Sequence, residues 1–414
     1  MHWPLKTALF RVTSLAMQVD TLILGAGAAG LFAAAHAGGR VLVVDHAKAP
    51  GEKIRISGGG RCNFTNLEAG PQAYLSANPH FCKSALARYT QWDFIELVSR
   101  HGIAWHEKTL GQLFCDGKAT QIVAMLLREM DAAGAELWLR SSLADLRHDG
   151  TGFVARVERE GETREVRARN LVLATGGKSI PKMGATGLAY DIAARFGLEI
   201  VSPRAGLVPF TFPDGRFSDL SGLSLPVRAS NDRAGFDEAM LFTHRGLSGP
   251  AILQLSSYWA PGEAIRLDLL PGADLAGHLK AARETSGRKS VGTVLGQLLP
   301  ARLVGGLDAL SGAPLATPVG ALSDKAIAEL ASRLASWELT PQGTEGWRTA
   351  EVTLGGIATD ALSSKTMEAR DCPGLFAIGE AVDVTGWLGG YNFQWAWSSG
   401  AACGTALRER SGMS

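Results

Sequence analysis

The sequence has almost no net charge. Its 41 lysines and arginines nearly balance its 40 aspartates and glutamates, and it contains no basic run and no alternation of basic with aromatic residues. Proteins that attract nucleic acid electrostatically concentrate lysine and arginine on one face or in one segment. We therefore expect no nucleic-acid partner and a small-molecule substrate.

Cysteine is scarce, and long apolar runs are absent. The five cysteines are scattered without a C-x-x-C pair, which argues against a disulfide framework and against a zinc site. We expect free thiols, no metal and a cytoplasmic location. No apolar stretch approaches the roughly 20 residues that span a bilayer, so we expect no membrane association.

The first 16 residues lack both a long apolar segment and a small-residue cleavage site, so we expect no secretory signal. Met17 stands just before the first apolar run, and an alternative start there would remove nothing that the fold needs. Residues 1–16 are therefore predicted to be a dispensable extension. The 414 residues exceed one ordinary core, which predicts two or three domains.

An apolar run from Val19 meets three glycines and then an alanine-rich segment. Gly25, Gly27 and Gly30 form G-x-G-x-x-G between a predicted strand and a predicted helix. In this motif the first glycine permits a sharp turn, the second lets the backbone approach a pyrophosphate, and the third lets the helix pack closely. The helix N-terminus offers N–H groups and partial positive charge to phosphates.

A second apolar strand, Val41 to Val44, ends in Asp45, which stands 20 residues after Gly25. A carboxylate at this spacing accepts hydrogen bonds from a ribose hydroxyl. The strands, the helix and the acid together distinguish the motif from an ordinary strand-to-helix turn. They predict dinucleotide binding.

Residues 48–66 contain three consecutive glycines, Gly58 to Gly60, which make a poor helix or strand interior. We expect a loop that presents backbone amides, with a glycine-rich surface turn as the alternative. Lys53, Arg55 and Arg61 could add charge-assisted hydrogen bonds to a phosphate or an anionic substrate.

Later segments repeat the pattern of a buried strand that runs into glycine. Residues 170–177 would bring backbone close to the nucleotide again, and residues 374–383 end at a glycine and a carboxylate. Gly389 and Gly390 precede a predicted helix that continues through Leu407. Its N-terminus could hold an anionic ring system.

The pattern between these segments predicts two insertions. Short apolar runs broken by proline, glycine and aspartate predict a mostly β domain, and a second stretch has helical periodicity. The predicted parts are a discontinuous dinucleotide-binding domain at 17–197 and 345–414, a mostly β domain at 198–273 and 336–344, and a helical insertion at 274–335.

Several local expectations follow from periodicity. Residues 153–158 and 165–168 should form a hairpin that precedes the strand at 170–177. In the β domain, Ser248 suits an N-cap, with Pro250 in the first turn of the helix that follows. His244, on the preceding loop, could donate a proton near neutral pH, and a structural histidine bonded to backbone is the alternative.

Taken in order, these segments resemble the bacterial NAD(P)/FAD-dependent oxidoreductases of the aminoacetone-oxidase-like type, which include a bile-acid-dehydroxylation reductase. The resemblance extends over nearly the whole chain. The motifs that carry it are Ile56-Ser-Gly-Gly-Gly-Arg-Cys-Asn63, Ala174-Thr-Gly-Gly-Lys-Ser179, Thr243-His-Arg-Gly-Leu-Ser-Gly-Pro250, Thr353-Leu-Gly-Gly-Ile357 and Gly389-Gly-Tyr-Asn-Phe-Gln-Trp-Ala-Trp397.

The resemblance implies an α/β fold: a glutathione-reductase-like Rossmann domain that binds FAD, with an inserted β-barrel-like domain and a helical insertion. One departure is Glu52, where such proteins often carry a basic residue. The cofactor-binding residues that the motifs and the resemblance imply are Gly25, Ala26, Gly27, Ala29, Gly30, Asp45, His46, Lys53, Gly60, Arg61, Cys62, Asn63, Ala174, Thr175, Gly176, Gly379, Glu380, Asp383, Gly389, Gly390, Tyr391, Asn392 and Gln394.

The activity that the resemblance implies is hydride transfer through a tightly bound flavin, between NAD(P)H or an organic donor and a small substrate. Only one G-x-G-x-x-G is present, so NAD(P)H would dock transiently. The candidate catalytic residues are His244, as a general acid, and Cys62, as a thiol beside the flavin, with inert packing of Cys62 as its alternative. Arg61 and Lys178 are candidate substrate anchors.

Two other functions stay open at this point. One is an FAD-dependent oxidase that uses oxygen. The other is a flavin-bound scaffold or RNA-associated protein without small-molecule turnover, and the near-neutral charge argues against its RNA form. The sequence carries no pattern that indicates an oligomeric state.

Overall fold

The computed structural model describes residues 16–311 and 314–412. The predicted N-terminal extension lies outside the described residues, apart from residue 16. The described chain divides into two compact units, one formed by the residues up to Arg204 and from Val352 onward, the other by Ala205–Glu351. The finer division predicted from the sequence, with its boundaries at 197 and 345 and a separate helical insertion, stays a prediction.

The strands are β1 Met17–Leu24, β2 Val41–Val44, β3 Asn63–Asn66, β4 Tyr74–Leu75, β5 Trp105–Glu107, β6 Gln112–Cys115, β7 Glu136–Trp138, β8 Ser141–His148, β9 Phe153–Arg159, β10 Glu162–Leu173, β11 Ile200–Gly206, β12 Phe210–Thr211, β13 Ser224–Ser230, β14 Gly235–Thr243, β15 Gly246–Ser248, β16 Ile265–Asp268, β17 Trp337–Leu339, β18 Gly343–Thr344, β19 Val352–Ile357, β20 Leu375–Ala377 and β21 Thr385–Gly386.

The α-helices are α1 Ala28–His36, α2 Glu52–Ile56, α3 Cys82–Arg88, α4 Gln91–Arg100, α5 Thr120–Ala132, α6 Leu188–Arg195, α7 Pro250–Ser256, α8 Leu275–Ser286, α9 Val291–Leu295, α10 Ala301–Ser311, α11 Asp324–Ala335 and α12 Tyr391–Ser411. No helix in the described part of the chain is both long and apolar enough to cross a bilayer.

A seven-stranded mixed sheet forms the centre of the first unit. Its order is β7-β2-β1-β10-β9-β8, and β20 also pairs with β10. The strands β7, β2, β1, β10 and β20 run parallel, whereas β9 and β8 add an antiparallel extension. Strands β2 and β20 and the carboxyl-terminal parts of β1 and β10 are apolar and buried, as expected where both faces of a parallel sheet are covered. This is the Rossmann-type arrangement predicted from the sequence.

Two local predictions in this unit are wrong in part. The predicted hairpin is present and is formed by β9 and β10. Its second arm and the strand predicted after it are not separate, because both belong to the twelve-residue strand β10, which pairs with β9 from Glu162 to Ala168 and with β1 from Val166 to Leu173. The loop predicted over residues 48–66 contains the short helix α2. Gly51, at φ +67°, is the N-cap of that helix. Its five residues favour a helix, and the helix buries Ile54, so it forms although three glycines follow closely in the sequence.

Helices α1 and α12 pack closely in the first unit. A Cβ at Gly400 would lie 2.9 Å from the carbonyl oxygen of Ala29, and one at Gly404 would lie 2.7 Å from that of Ala33. Glycine therefore sets the distance between the two helices. Trp397 of α12 stacks on Phe94 with a 4.3 Å centroid separation and a 7° interplanar angle.

The second unit contains an antiparallel sheet with the linear order β17-β16-β13-β14-β15-β12-β18, together with helices α7 to α11. The alternating burial of β13 and β14 agrees with the predicted β texture. One local prediction is wrong here. Gly249, at φ +88°, is the N-cap of α7, and Ser248 instead ends β15.

Candidate cofactor site

The three glycines of the first motif have different surroundings. Gly25 has φ +110°, and a Cβ there would overlap the carbonyl of Ala174 at the end of β10. A Cβ at Gly30 would overlap the carbonyl of Gly25. A Cβ at Gly27, by contrast, would have no atom within 4 Å. The turn and the helix packing are thus confirmed for the outer glycines, and the middle one faces open space.

The N-terminus of α1 is available to an anion. Gly27 is its N-cap, no side chain caps the helix, and its first turn carries no acidic residue. Asp45, beyond β2, accepts hydrogen bonds from the backbone N–H groups of Ala26 (2.6 Å) and Ala47 (2.8 Å). A carboxylate has about four lone-pair positions, so Asp45 keeps capacity for a ribose hydroxyl. His46 lies beside it, half exposed, with Nδ1 3.4 Å from Oδ1 of Asp45.

Lys53 and Glu380 form the centre of a polar network. Lys53 Nζ lies 2.6 Å from Oε2 of Glu380 and 2.6 Å from the hydroxyl of Ser179. That hydroxyl donates to Oε1 of Glu380 (2.7 Å), and the N–H of Thr353 donates to the same oxygen (2.9 Å). The network connects α2, the loop after β10, β19 and the turn after β20.

Burial raises the pKa of Glu380, but the ammonium of Lys53 and the hydrogen bonds from Lys53, Ser179 and Thr353 outweigh that effect. The net result is a pKa below the ordinary value of a glutamate. Glu380 is therefore an anion at neutral pH, and Lys53 compensates its charge. Both residues were predicted to bind the cofactor, and the structure shows that they first bind each other.

The segment after β10 contributes an unpartnered hydroxyl. Thr175 Oγ1 is buried and has no hydrogen-bond partner among the described residues. Ala174 is buried beneath the first glycine turn, and Gly176 adopts φ +75°. A buried polar atom without a partner costs free energy, so it indicates a group that the polypeptide does not supply.

The glycine-rich turn between α2 and β3 is exposed at Gly58 and Gly59 and buried at Cys62, where it leads into β3. Gly58, Gly59 and Gly60 have positive φ, and Arg61 is exposed. Cys62 has φ +55° and is fully buried, and burial raises the pKa of its thiol far above the usual range.

Asn63 and Asp383 lie at the edges of this region. The side-chain amide of Asn63 lies 3.1 Å from that of Gln112. Asp383 is buried and accepts a hydrogen bond from the N–H of Ala77 (2.8 Å). Burial raises the pKa of the Asp383 carboxyl. Both side chains therefore contact the protein itself.

The N-terminus of α12 repeats the features of α1. Gly390 is the N-cap at φ +98°, no side chain caps the helix, and no acid lies in its first turn. A Cβ at Gly390 would overlap the carbonyl of Thr65, and one at Gly389 would press on Gln112. Only glycine therefore fits at these two positions.

The side chains that follow are engaged within the protein. Asn392 pairs with both backbone groups of Gly386 (2.9 Å each). Gln394 is buried, accepts a hydrogen bond from Thr65 Oγ1 (2.7 Å) and donates one to the carbonyl of Tyr89 (3.1 Å). The backbone carbonyl of Tyr391 accepts from the hydroxyl of Tyr74 (3.0 Å). These side chains shape the turn and leave ligand contact there to the backbone.

The other candidate residues are placed as follows. His244 is exposed on the turn between β14 and β15 of the second unit. In the first unit, Lys178 Nζ lies 5.8 Å from the ring centroid of Tyr190, and Arg55 donates to the carbonyl of Pro50 (3.0 Å). All five cysteines are free thiols, as predicted.

Sequence reasoning missed three residues that hold the site together, namely Ser179, Thr353 and Asn66. The first two are the polar ends of their motifs, two positions from a glycine, and that position was the available signal. Asn66 is buried, and its Nδ2 donates to the carbonyl of Gly389 (2.9 Å). Its role depends on a partner more than 300 residues away in the sequence, so no local pattern indicates it.

The first unit fits an extended dinucleotide. A Cβ at Gly27 would meet open space, and the N-termini of α1 and α12 have no side-chain cap and no acidic residue in their first turns. The buried hydroxyl of Thr175 has no hydrogen-bond partner among the described residues. Backbone N–H groups at helix N-termini bind anions readily. A phosphate-bearing cofactor along this surface would contact both helix N-termini and supply the partner that the Thr175 hydroxyl lacks.

Comparisons with known proteins agree with this fold. The family model described as HI0933-like protein Rossmann domain matches residues 19–406. A 3-ketosteroid-delta4-(5alpha)-dehydrogenase structure from Rhodococcus jostii matches with a TM-score of 0.50 at 15% identity, covering 95% of this chain and 98% of that one. Likeness at this identity concerns the fold alone.

The relatives are similar over nearly their full length. A ribosomal RNA dihydrouridine synthase of Escherichia coli is 53% identical, and one of Haemophilus influenzae is 49% identical. A 3-dehydro-bile acid delta(4,6)-reductase of Clostridium scindens is 27% identical. Each match covers 94% of this chain and 98% of the relative. The family match and the bile-acid reductase confirm the resemblance predicted from the motifs.

The two ribosomal RNA enzymes overturn two other predictions. The expectation of a small-molecule substrate is wrong, and so is the expectation of no nucleic-acid partner, because both relatives are named for action on ribosomal RNA. Both expectations drew on the near-neutral composition, and the resemblance also implied a small substrate. Total charge averages over the whole surface, so a near-neutral sum does not exclude a local surface that binds RNA.

Proposed function

The chain belongs to the HI0933-like family, and on that premise we propose that it is a flavin-dependent ribosomal RNA dihydrouridine synthase. The observation that carries the proposal is the match to the Escherichia coli enzyme of that name, which is 53% identical and aligned over nearly all of both chains. The site supports it, because the first unit offers the surface that a dinucleotide cofactor needs.

The proposed reaction adds two hydrogens to a uracil base. A hydride adds to C6 and a proton to C5, so the C5=C6 double bond becomes a single bond and the base gains two electrons. FAD, when bound and reduced, supplies the hydride. The reductase from Clostridium scindens is likewise named for the reduction of carbon–carbon double bonds, which favours the reductive direction. A reduced nicotinamide nucleotide that docks transiently is the proposed electron donor.

The chain's own residues would hold FAD in an extended form. The turn at Gly27 and the start of α1 would bind the pyrophosphate, and Asp45 would bind the adenosine ribose. The N–H groups at the start of α12 would stabilise negative charge on the ring. Thr175 would donate its unpartnered hydroxyl to the cofactor. The Lys53–Glu380 pair adds no net charge next to the phosphates.

The proton at C5 needs a donor. The assignment of His244 to that role stays a prediction, because His244 belongs to the second unit and the cofactor surface to the first. The Cys62 thiol is buried in the first unit, so we expect Cys62→Ala to keep most of the activity. Single-turnover kinetics of uridine reduction measure this. Loss of most of the activity with unchanged flavin content would show that the thiol takes part in the reaction.

The proposed function is tested with the purified holoprotein, ribosomal RNA stripped of protein, and NADH or NADPH under anaerobic conditions. Nucleosides from the digested RNA are analysed by mass spectrometry for dihydrouridine, and bleaching of the flavin absorbance reports reduction by each nucleotide. We expect dihydrouridine only with RNA and reductant together. Reduced flavin that forms no dihydrouridine in any ribosomal RNA would refute the proposal.

A further inference from the structure

We propose that Leu110 is an RNA wedge, an apolar side chain that enters a base stack and fills the place of an extracted base. This inference rests on the proposed function. A uridine inside folded RNA must leave its stack before its C5=C6 bond can be reduced, and enzymes that act on a base take it out of the stack. Leucine is among the side chains that proteins insert between stacked bases.

The first observation is a residue that does not suit its turn. The hairpin between β5 and β6 closes with hydrogen bonds from the N–H of Gln112 to the carbonyl of Thr109 (3.1 Å) and from the N–H of Lys108 to that of Gln112 (3.0 Å). Its central residues, Leu110 and Gly111, have φ +52° and +72°. Positive φ at both positions is typical of a type I′ turn, which favours Asn, Asp or Gly at the first position. Leucine there is strained.

The second observation is exposure. Leu110 is 63% exposed, the highest value among the large apolar side chains of the described residues. Its side chain therefore gains little from packing while its backbone is strained. A residue that violates local turn chemistry without a gain inside the fold is expected at functional sites.

The third observation is location. The buried side-chain amide of Asn66 donates to the carbonyl of Leu110 (3.0 Å) and to the carbonyl of Gly389 (2.9 Å). The two carbonyl oxygens are therefore no farther apart than about 6 Å, the sum of these hydrogen bonds. Gly389 directly precedes the N-cap of α12, where the proposed function places the cofactor ring. Asn66 holds the strained turn at the end of the site where the base must arrive.

An exposed cation lies next to the turn. Lys108 is exposed and lies with its ammonium 5.5 Å from the ring centroid of Phe114. The carboxylate of Glu107 instead accepts from the N–H of Gly111 (3.3 Å) and so contributes to the turn itself. An exposed apolar side chain with a neighbouring cation is the combination that a base stack and its phosphates require.

The test compares Leu110→Gly with wild-type holoprotein on two substrates, folded ribosomal RNA and short single-stranded fragments of the same RNA. Glycine suits the positive φ, so we expect flavin content to be unchanged and the melting temperature to be the same as that of the wild type or slightly higher. We expect dihydrouridine formation to fall about tenfold or more on folded RNA and to stay within about twofold on fragments, where no stack must be opened. Leu110→Met, which restores an apolar side chain, should recover most of the loss. Leu298→Ala, at another exposed leucine, is the matched control.

Equal activity of Leu110→Gly and wild type on folded RNA would overturn the wedge. An equal loss on both substrates would also overturn it, because Leu110 would then act on the base or the cofactor and not on the stack. A wild-type protein that reduces uridine in neither substrate would overturn the proposed function and the wedge with it. A wild type that is active on both, with an equally active variant, would overturn the wedge alone.

Discussion

Substitution by alanine should affect two glycines of the G-x-G-x-x-G motif differently, lowering FAD affinity at Gly27 and stability at Gly30. Gly27→Ala places a methyl group where no protein atom lies within 4 Å, so the fold should keep its stability while FAD affinity falls about tenfold or more. Gly30→Ala places it against the carbonyl of Gly25, so the free energy of unfolding should fall by about 1–3 kcal/mol. Denaturant unfolding of the apoprotein and flavin titration separate the two effects. Equal flavin affinity of Gly27→Ala and wild type would place the pyrophosphate elsewhere.

The carboxyl of Glu380 should make stability depend on pH in acid. Its pKa in the folded protein lies below the ordinary 4.5, so it stabilises the fold fully above pH 4.5. That contribution is lost as the pH falls through the lowered pKa. At neutral pH, Glu380→Gln should lower the free energy of unfolding by about 2 kcal/mol. This value lies between those of exposed and buried ion pairs, since Lys53 is partly exposed. The difference in the free energy of unfolding between Glu380→Gln and wild type should shrink below pH 4.5, because the wild-type carboxyl then becomes protonated.

Urea unfolding between about pH 3 and pH 7 measures this difference in stability, since that range spans the ordinary glutamate pKa of 4.5. Glu284→Gln, at an exposed position of α8, is the control and should leave the pH dependence unaltered. A Glu380→Gln difference that is constant across the range would show that the charge of Glu380 contributes nothing to the fold.

At the scale of elements, the contact between α1 and α12 depends on small residues. A Cβ at Gly404 would lie 2.7 Å from the carbonyl oxygen of Ala33, closer than packed side chains come. Gly404→Ala should therefore lower the free energy of unfolding by about 1–3 kcal/mol, despite the better helix propensity of alanine. A Cβ at Gly305 in α10 would have no atom within 4 Å, so Gly305→Ala should raise the free energy of unfolding by about 1 kcal/mol. Denaturant midpoints report both, and a stabilising Gly404→Ala would mean that α12 can shift freely.

Much of the first unit could be predicted from the sequence, and its exceptions have physical causes. Buried apolar runs that lead into glycine or aspartate mark β1, β2, the end of β10 and β20, so these strands are predictable from local patterns. The misplaced N-cap of α7 shows the limit. Ser248 has the preferred side chain, but the positive φ of Gly249 decides where the helix begins. Backbone conformation of this kind depends on packing and leaves only a weak trace in residue type.

The site itself was predictable in its backbone and less so in its side chains. Gly27 and Asp45 were found because the dinucleotide motif fixes their spacing. The interaction between Lys53 and Glu380 was not, because 327 positions separate them and only the fold brings them together. The strain at Leu110 was likewise invisible, since leucine carries no turn signal. Motifs therefore locate the cofactor surface, while the contacts that organise it require the structure.

At the scale of the whole molecule, a chain with formal net charge +1 is proposed to act on a polyanion. Affinity for RNA that depends on many phosphate contacts falls steeply with salt, by about 10³–10⁵ between 50 and 200 mM for 6–10 contacts. A near-neutral protein should make fewer such contacts and rely more on stacking and base recognition. We expect the affinity for folded ribosomal RNA to fall by about 40-fold or less over that range, as for about three contacts. Fluorescence anisotropy with labelled RNA measures it. A loss of about 10³ or more would show that the balanced composition conceals a concentrated basic surface.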